Sequence, residues 1–357
     1  MLTALIMAGG SGERFWPLST KERPKQLLKL VSDKSMIRET VDRILPMIPA
    51  ERIFIGTNII QAPAVKEELP FLPEENIIIE PAFKDTAAAI GYGATYIKEH
   101  LKENGELTMV VLASDHLIKN EDNFRKRMET AVNSAKKDGS IVTLGIKPTK
   151  PETGYGYIEV DGECYIGEPA VVRRFWEKPN EERAERYIDA GNYLWNSGMF
   201  IFEIKTILEA MEKHMPKHYA VLEDIGEIIG TNKIIEGNTQ DQIKEKFEEF
   251  EKMSIDFGIM EKADNIKVIP VDFGWNDIGS FPALEDVFDK NENGTICKIA
   301  NLIEINSKNN IVLGNGKRLI ATVGINDTVV VETENSILVC HKDEAQNIKK
   351  ILKELKI

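Results

Sequence analysis

Cysteine is scarce: Cys164, Cys297 and Cys340 are the only three in 357 residues. They are too few and too scattered for a disulfide framework or a thiolate zinc site, and a reducing, cytoplasmic compartment is expected. No run approaches the ~18 apolar residues of a spanning helix, so no membrane span is expected. No basic segment precedes the short apolar run at the N-terminus, which reads as a first strand and not as a secretory leader. Basic residues are in the minority, with 45 Lys and Arg against 58 Asp and Glu and a formal net charge of −13. That excludes a general nucleic-acid binder but not a local basic pocket for a small polyanion. Low-complexity segments and long linkers are also missing. What remains is 42% hydrophobic, enough for a sizeable core and incompatible with wholesale disorder. At about 150 residues per domain, the length suggests two domains or three.

Residues 2–8 form a buried-type strand that runs straight into Gly9, Gly10, Ser11 and Gly12. A helix is expected from about Ser35, with Ile37, Val41, Ile44 and Leu45 on one face. Strands at 52–56, 77–79, 108–113 and 140–145 alternate with helices at 86–100 and 124–137. This alternation predicts an α/β layer with a mostly parallel sheet. The near-continuous apolar run at 108–113 suits a central strand and ends at Ser114-Asp115-His116. From about 202 to 262 the pattern becomes helical and charged. After Asn291 come short β-rich pieces separated by turn residues, which suggests a small β-helix-like unit. A closing helix is expected from about Asp343, read as its N-cap with Gln346 completing a capping box. The expected domains are therefore 1–290 and 291–357.

Clustered glycines let backbone N–H groups approach phosphate oxygens without an obstructing Cβ. The loop lacks the Gly-Lys-Ser/Thr of a Walker sequence, and Phe15 stands where a dinucleotide fingerprint needs its third glycine. From Glu13 to Lys29 five bases face two acids, a local surplus of +3 in an acidic protein. A basic patch beside such a loop suits a triphosphate; a plain glycine turn with solvated charges is the bland alternative. Asp115 and Asp277 both follow strand-like runs. Attack on a phosphate ester surrounded by negative charge calls for a divalent cation, and Mg²⁺ takes one or two carboxylates plus phosphate oxygens and water. Either aspartate could equally be an ordinary turn residue. The four tryptophans, Trp16, Trp176, Trp195 and Trp275, read as packing behind the loops.

The segment Gly9-Gly10-Ser11-Gly12-Glu13-Arg14-Phe15-Trp16-Pro17-Leu18, followed by Arg23-Pro24-Lys25-Gln26, resembles the signature of sugar-1-phosphate nucleotidylyltransferases, in its mannose-1-phosphate guanylyltransferase form. The resemblance implies a Rossmann-like nucleotidylyltransferase domain that converts GTP and mannose 1-phosphate to GDP-mannose and pyrophosphate. It assigns Gly9, Gly10, Ser11 and Gly12 to the triphosphate, Arg14 and Lys25 to the leaving pyrophosphate, and Asp115 with Asp277 in Trp275-Asn276-Asp277-Ile278-Gly279 to the metal. Glu80 and Thr86, in Glu80-Pro81-Ala82-Phe83-Lys84-Asp85-Thr86-Ala87, are candidates for the base, although Lys84-Asp85 replaces the family's Arg-Asn. Gly156 and Glu159 of Thr153-Gly154-Tyr155-Gly156-Tyr157-Ile158-Glu159, Lys178 of Glu177-Lys178-Pro179, and Asn196 of Trp195-Asn196-Ser197-Gly198 are implied to line the sugar-phosphate pocket, with Lys178 on the attacking phosphate. Asp256 is open between a sugar or metal-shell role and a helix N-cap.

The same chemistry on glucose 1-phosphate or with another nucleotide is the nearest alternative; a non-catalytic regulatory relative is another, disfavoured because Arg14, Lys25 and both aspartates are present. Nothing resembling an isomerase domain follows Ile357, so isomerase activity is not expected. Exposed strand edges of the β-rich unit make a homodimer a hypothesis.

Overall fold

The computed structural model describes residues 1–101, 105–231, 237–314 and 318–355. Positions 315–317 and 356–357 of the expected C-terminal region thus lie outside the described residues. The chain forms two compact units. One comprises residues 1–9, 41–114 and 118–275; the other comprises 10–40, 115–117 and 276–357.

The first unit is built on β1 (Leu2–Met7), β2 (Ile53–Asn58), β3 (Ile77–Glu80) and β4 (Thr108–Ala113). The two-residue strands β5 (Leu117–Ile118) and β11 (Trp275–Asn276) mark points where the chain passes from one unit to the other. Between them come β6 (Ile141–Ile146), β7 (Tyr157–Val160), β8 (Ala170–Trp176), β9 (Tyr193–Glu203) and β10 (Ile266–Val271). The sheet order is β3-β2-β1-β4-β9-β6-β10-β8-β7. The parallel pairing expected from the strand–helix alternation holds over β3-β2-β1-β4 and between β6 and β10. Strand β9 runs antiparallel between β4 and β6. Its 11 residues also reach β7, with Tyr157 opposite Trp195, so one long strand joins two halves of the sheet without a crossover helix.

The run at 108–113 is buried through its first five residues, as a central strand covered on both faces requires. The helix Asp85–His100 buries Ala87, Ala88, Ile90 and Ala94 against the sheet, and the helices Ile204–His214, Pro216–Thr231 and Asn238–Glu248 supply Ile207, Met211, Ile225 and Phe247 to the same core. Among the described residues no helix is long and apolar enough to cross a membrane.

The second unit contains β12 (Ile296–Lys298), β13 (Leu302–Ile305), β14 (Ile311–Gly314), β15 (Ile320–Val323), β16 (Thr328–Glu332) and β17 (Ile337–His341). Strands β12, β14 and β16 stack in parallel, with Ile296 beside Ile311 and Ile311 beside Val329. Strands β13 and β15 form a second parallel ladder, and β17 closes the first antiparallel to β16. The first two coils thus place one strand in each ladder. Corners turn at Asn306, Asn309 and Asp327, all at positive φ, which short polar side chains tolerate. Asn310 is fully buried; its amide donates to the Ile325 carbonyl and accepts from the Thr328 N–H, both at 3.0 Å.

The expected cap at Asp343 is corrected. His341 holds the cap position and its Nδ1 accepts the Asp343 N–H at 3.3 Å. A 3₁₀ turn, Lys342–Asn347, intervenes before the α-helix Ile348–Glu354, so local hydrogen bonding at the strand end displaced the capping box.

Replacing Asn310 with Ala orphans the buried Thr328 N–H, while the Ile325 carbonyl keeps the Lys308 N–H, and the expected cost is about 1–3 kcal/mol. Denaturant titration followed by circular dichroism reads it; an unshifted midpoint would contradict the corner role.

Candidate active site

The second unit gathers Gly12, Arg14, Lys25, Asp115 and Asp277. The loop after β1 bends at Gly12, where φ is +60°, and enters a 3₁₀ turn at Glu13–Phe15. A Cβ at Gly12 would lie 2.4 Å from the Lys25 backbone nitrogen, so only glycine fits. Ser19 Oγ donates to the Gly12 carbonyl at 2.8 Å, and the Gln26 amide to the Gly10 carbonyl at 3.2 Å, which fixes the loop.

Lys25 has only 7% of its side chain exposed. Its Nζ sits 2.8 Å from Asp115 Oδ2 and donates to the Asp277 carbonyl oxygen. Arg14 Nη1 donates to the Gly279 carbonyl at 3.4 Å. The Asp277 carboxylate accepts the Gly279 N–H at 3.2 Å, and a side chain at 279 would meet Asp277 Oδ2 at 2.9 Å. One cleft of about 430 Å³ is lined by Ser11, Gly12, Arg14, Lys25, Asp115 and Asp277, with His116 and Lys349. Burial would raise the Asp115 carboxyl, but the Lys25 charge, with His116 and the hydrogen bond from Lys25, outweighs it and holds the group below the usual range.

Among the described residues no cluster of three or more His, Cys, Asp or Glu could enclose a metal. Two aspartates on one cleft still suit a hard cation that draws its remaining ligands from phosphate oxygens and water. The donor set is carboxylate oxygen, which favours Mg²⁺ over a soft metal.

The first unit holds the other expected residues. Glu80 ends β3 with its carboxyl beside Gly9 and Gly56. Burial pushes it up to about 7. Asp85, where the family has Asn, sits at φ +72°, a conformation that either residue tolerates, and its Oδ1 accepts the Thr86 N–H. Thr86 Oγ1 accepts the Ile255 N–H at 2.8 Å. The Lys84 ammonium donates to the carbonyls of Glu248 and Phe250 at 2.6 and 2.8 Å.

Of the sugar-side set, Gly156 and Asn196 come together, the Asn196 N–H donating to the Gly156 carbonyl at 2.8 Å. Asn196 Nδ2 donates to Asp256 Oδ1 at 2.8 Å. Lys178 is at positive φ and pairs with Glu177 at 3.0 Å. Glu159 is engaged apart from these, pairing with Arg173 at 3.2 Å and accepting from Trp176 Nε1 at 3.2 Å. The N-cap reading of Asp256 is corrected: Ile255 occupies that position and Asp256 is the first residue of a π-helical turn, Asp256–Met260. Burial, reinforced by the Glu177 charge, lifts the Asp256 carboxyl to about 6. The rings of Trp195 and Trp275 flank Tyr155 at 5.2 and 5.3 Å, while Trp16 packs on the core of the second unit.

Sequence reasoning passed over Glu177 and Lys349. Glu177 stood next to a singled-out lysine. Lys349 gave no signal, because helical periodicity put it on the polar face.

A family model described as nucleotidyl transferase matches residues 3–294, and one described as MannoseP isomerase/GMP-like beta-helix domain matches 300–355. Mannose-1-phosphate guanylyltransferase 2 of Escherichia coli O157:H7 is 37% identical over 100% of this chain and 74% of its own length. Mannose-1-phosphate guanylyltransferase of Escherichia coli K12 is 37% identical over 99% of this chain and 73% of its own. A solved structure described as mannose-1-phosphate geranyltransferase from Thermus thermophilus superposes with a TM-score of 0.87 at 32% identity, covering 100% of this chain and 99% of that one.

Glu80 gives a pH test. With its carboxyl raised from 4.5 to about 7, the folded chain retains a proton that the unfolded chain releases, so stability falls as pH rises through that window. Glu80→Gln cannot titrate. Its gain in melting temperature over the parent should grow from about pH 4.5 to about 7 and then level off. A difference independent of pH would contradict the assignment.

Proposed function

The chain belongs to the nucleotidyl transferase family, and from that premise we propose that it transfers GMP from GTP to mannose 1-phosphate, giving GDP-mannose and pyrophosphate. The observation that carries this reading is the shared cleft of Lys25, Arg14, Asp115 and Asp277 beside a glycine loop. The names of the full-length relatives support the choice of substrates.

The sugar phosphate is already a charged nucleophile, so neither a general base nor a covalent intermediate is required. Catalysis then comes from in-line alignment and from neutralising charge. In this reading the backbone amides of 9–12 cradle the triphosphate, and Lys25 and Arg14 stabilise the pyrophosphate as the bond to the α-phosphorus breaks. Asp115 and Asp277 would hold Mg²⁺, which when bound supplies charge neutralisation on the phosphate oxygens. Lys178 meets the attacking phosphate as a point charge. Gly156, Asn196 and Glu159 serve the sugar, the first two by direct approach and Glu159 by holding Arg173 and Trp176. Glu80 and Thr86 serve the base.

Asp277→Ala should lower the rate of pyrophosphate release at least about a hundredfold, with the circular dichroism spectrum and melting temperature of the parent retained. Full activity in that variant would remove the metal assignment. A panel of GTP, ATP, UTP and dTTP against mannose 1-phosphate and glucose 1-phosphate should show the highest kcat/KM for GTP with mannose 1-phosphate; a preference for another pair would reassign the substrates while keeping the reaction class.

A further inference from the structure

Three basic side chains line the cleft around the glycine loop, and two of them are engaged. Lys25 is bonded to the Asp115 carboxylate and the Asp277 carbonyl, and Arg14 reaches the Gly279 carbonyl. The third is Lys349, the second residue of the helix Ile348–Glu354. Among the described residues its ammonium has no hydrogen-bond or ion-pair partner.

Its position is well anchored. Ile348, the residue before it, is 2% exposed and belongs to the same core cluster as Phe15, the last residue of the turn that follows Gly12. The C-terminal helix is therefore seated in the core that carries the loop, and Lys349 is held at the edge of the cleft. The lining holds three acids, Glu13, Asp115 and Asp277, against Arg14, Lys25 and Lys349, so its charges nearly cancel. A triphosphate brings about four negative charges, and an uncommitted ammonium is the group such a tail can engage without breaking a bond already made.

We propose that Lys349 binds the polyphosphate tail of the incoming nucleoside triphosphate, so that the C-terminal helix contributes a substrate contact to the cleft. This rests on the reading of the cleft as a nucleotidyl transferase site. The contact serves GTP in the forward direction and pyrophosphate in reverse. It adds nothing to the sugar phosphate.

The test uses the full chain with Lys349→Met, Lys349→Arg and, as a control, Lys350→Met, an exposed neighbour on the same helix that does not line the cleft. Calorimetric titration with inorganic tripolyphosphate reads binding directly. Steady-state kinetics read KM for each substrate. Lys349→Met should weaken tripolyphosphate binding and raise KM for GTP by about tenfold, leaving KM for mannose 1-phosphate within about twofold. Lys349→Arg should retain most of the affinity, and Lys350→Met should match the parent. Equal tripolyphosphate affinity in Lys349→Met and Lys350→Met would overturn the proposal. So would equal losses for both substrates with a lowered melting temperature, since that marks a merely structural role. A parent chain that binds tripolyphosphate through Lys349 yet transfers no nucleotide would count against the enzymatic reading and still for the lysine contact.

Discussion

A buried ammonium holds the cleft together. Lys25 is almost wholly enclosed, and an isolated charge there would be costly, so it persists only because the Asp115 carboxylate and the Asp277 carbonyl receive it. The three residues come from segments about 90 and 160 residues apart, and the one interaction joins them. Gly12 is part of the same constraint, because any side chain there would collide with the Lys25 backbone. The loop's bend, the direction of the lysine and the aspartates at the cleft are therefore interdependent. The same three stretches, 10–40, 115–117 and 276–357, make up the second unit and also share one apolar core.

A comparable tie operates in the first unit. The segment 84–87 is stitched to 248–255 by the Lys84 ammonium, by the Ala87 and Met253 N–H groups, and by the Thr86 hydroxyl. The chain then presents Asp256, bonded to Asn196. Residues expected to meet a base are thus backbone-coupled to residues expected to meet a sugar. Lys84 keeps a cation where the family has arginine, yet its ammonium serves the frame. The raised carboxyls of Glu80 and Asp256 belong to this unit, and burial is the leading cause of both.

Much of this was legible in the sequence. The strand at 108–113, the glycine loop and the aspartate just after the strand were readable because strand periodicity and glycine's lack of a Cβ are local properties. The parallel ladders after 296 showed as short apolar pieces between turn residues for the same reason. Other features were illegible because they depend on partners far along the chain. The antiparallel entry of β9 depends on which edges of β4 and β6 are free. Asp343 looked like a cap, but its own N–H is the donor that the His341 ring accepts. The pairing of Glu159 with Arg173 and Trp176 likewise depends on which strand lies beside β7.

The amino-acid order by itself determined the strands, the loop that can approach an anion, and which residue types were available to meet it. Tertiary structure alone decided which of those charges face each other. Lys349 shows the difference: its helix period marks a solvated face, and only the burial of Ile348 in the core shared with Phe15 brings that face to the cleft. Periodicity reports the direction of a side chain relative to its own helix axis, whereas the field it enters is set by what packs around that axis.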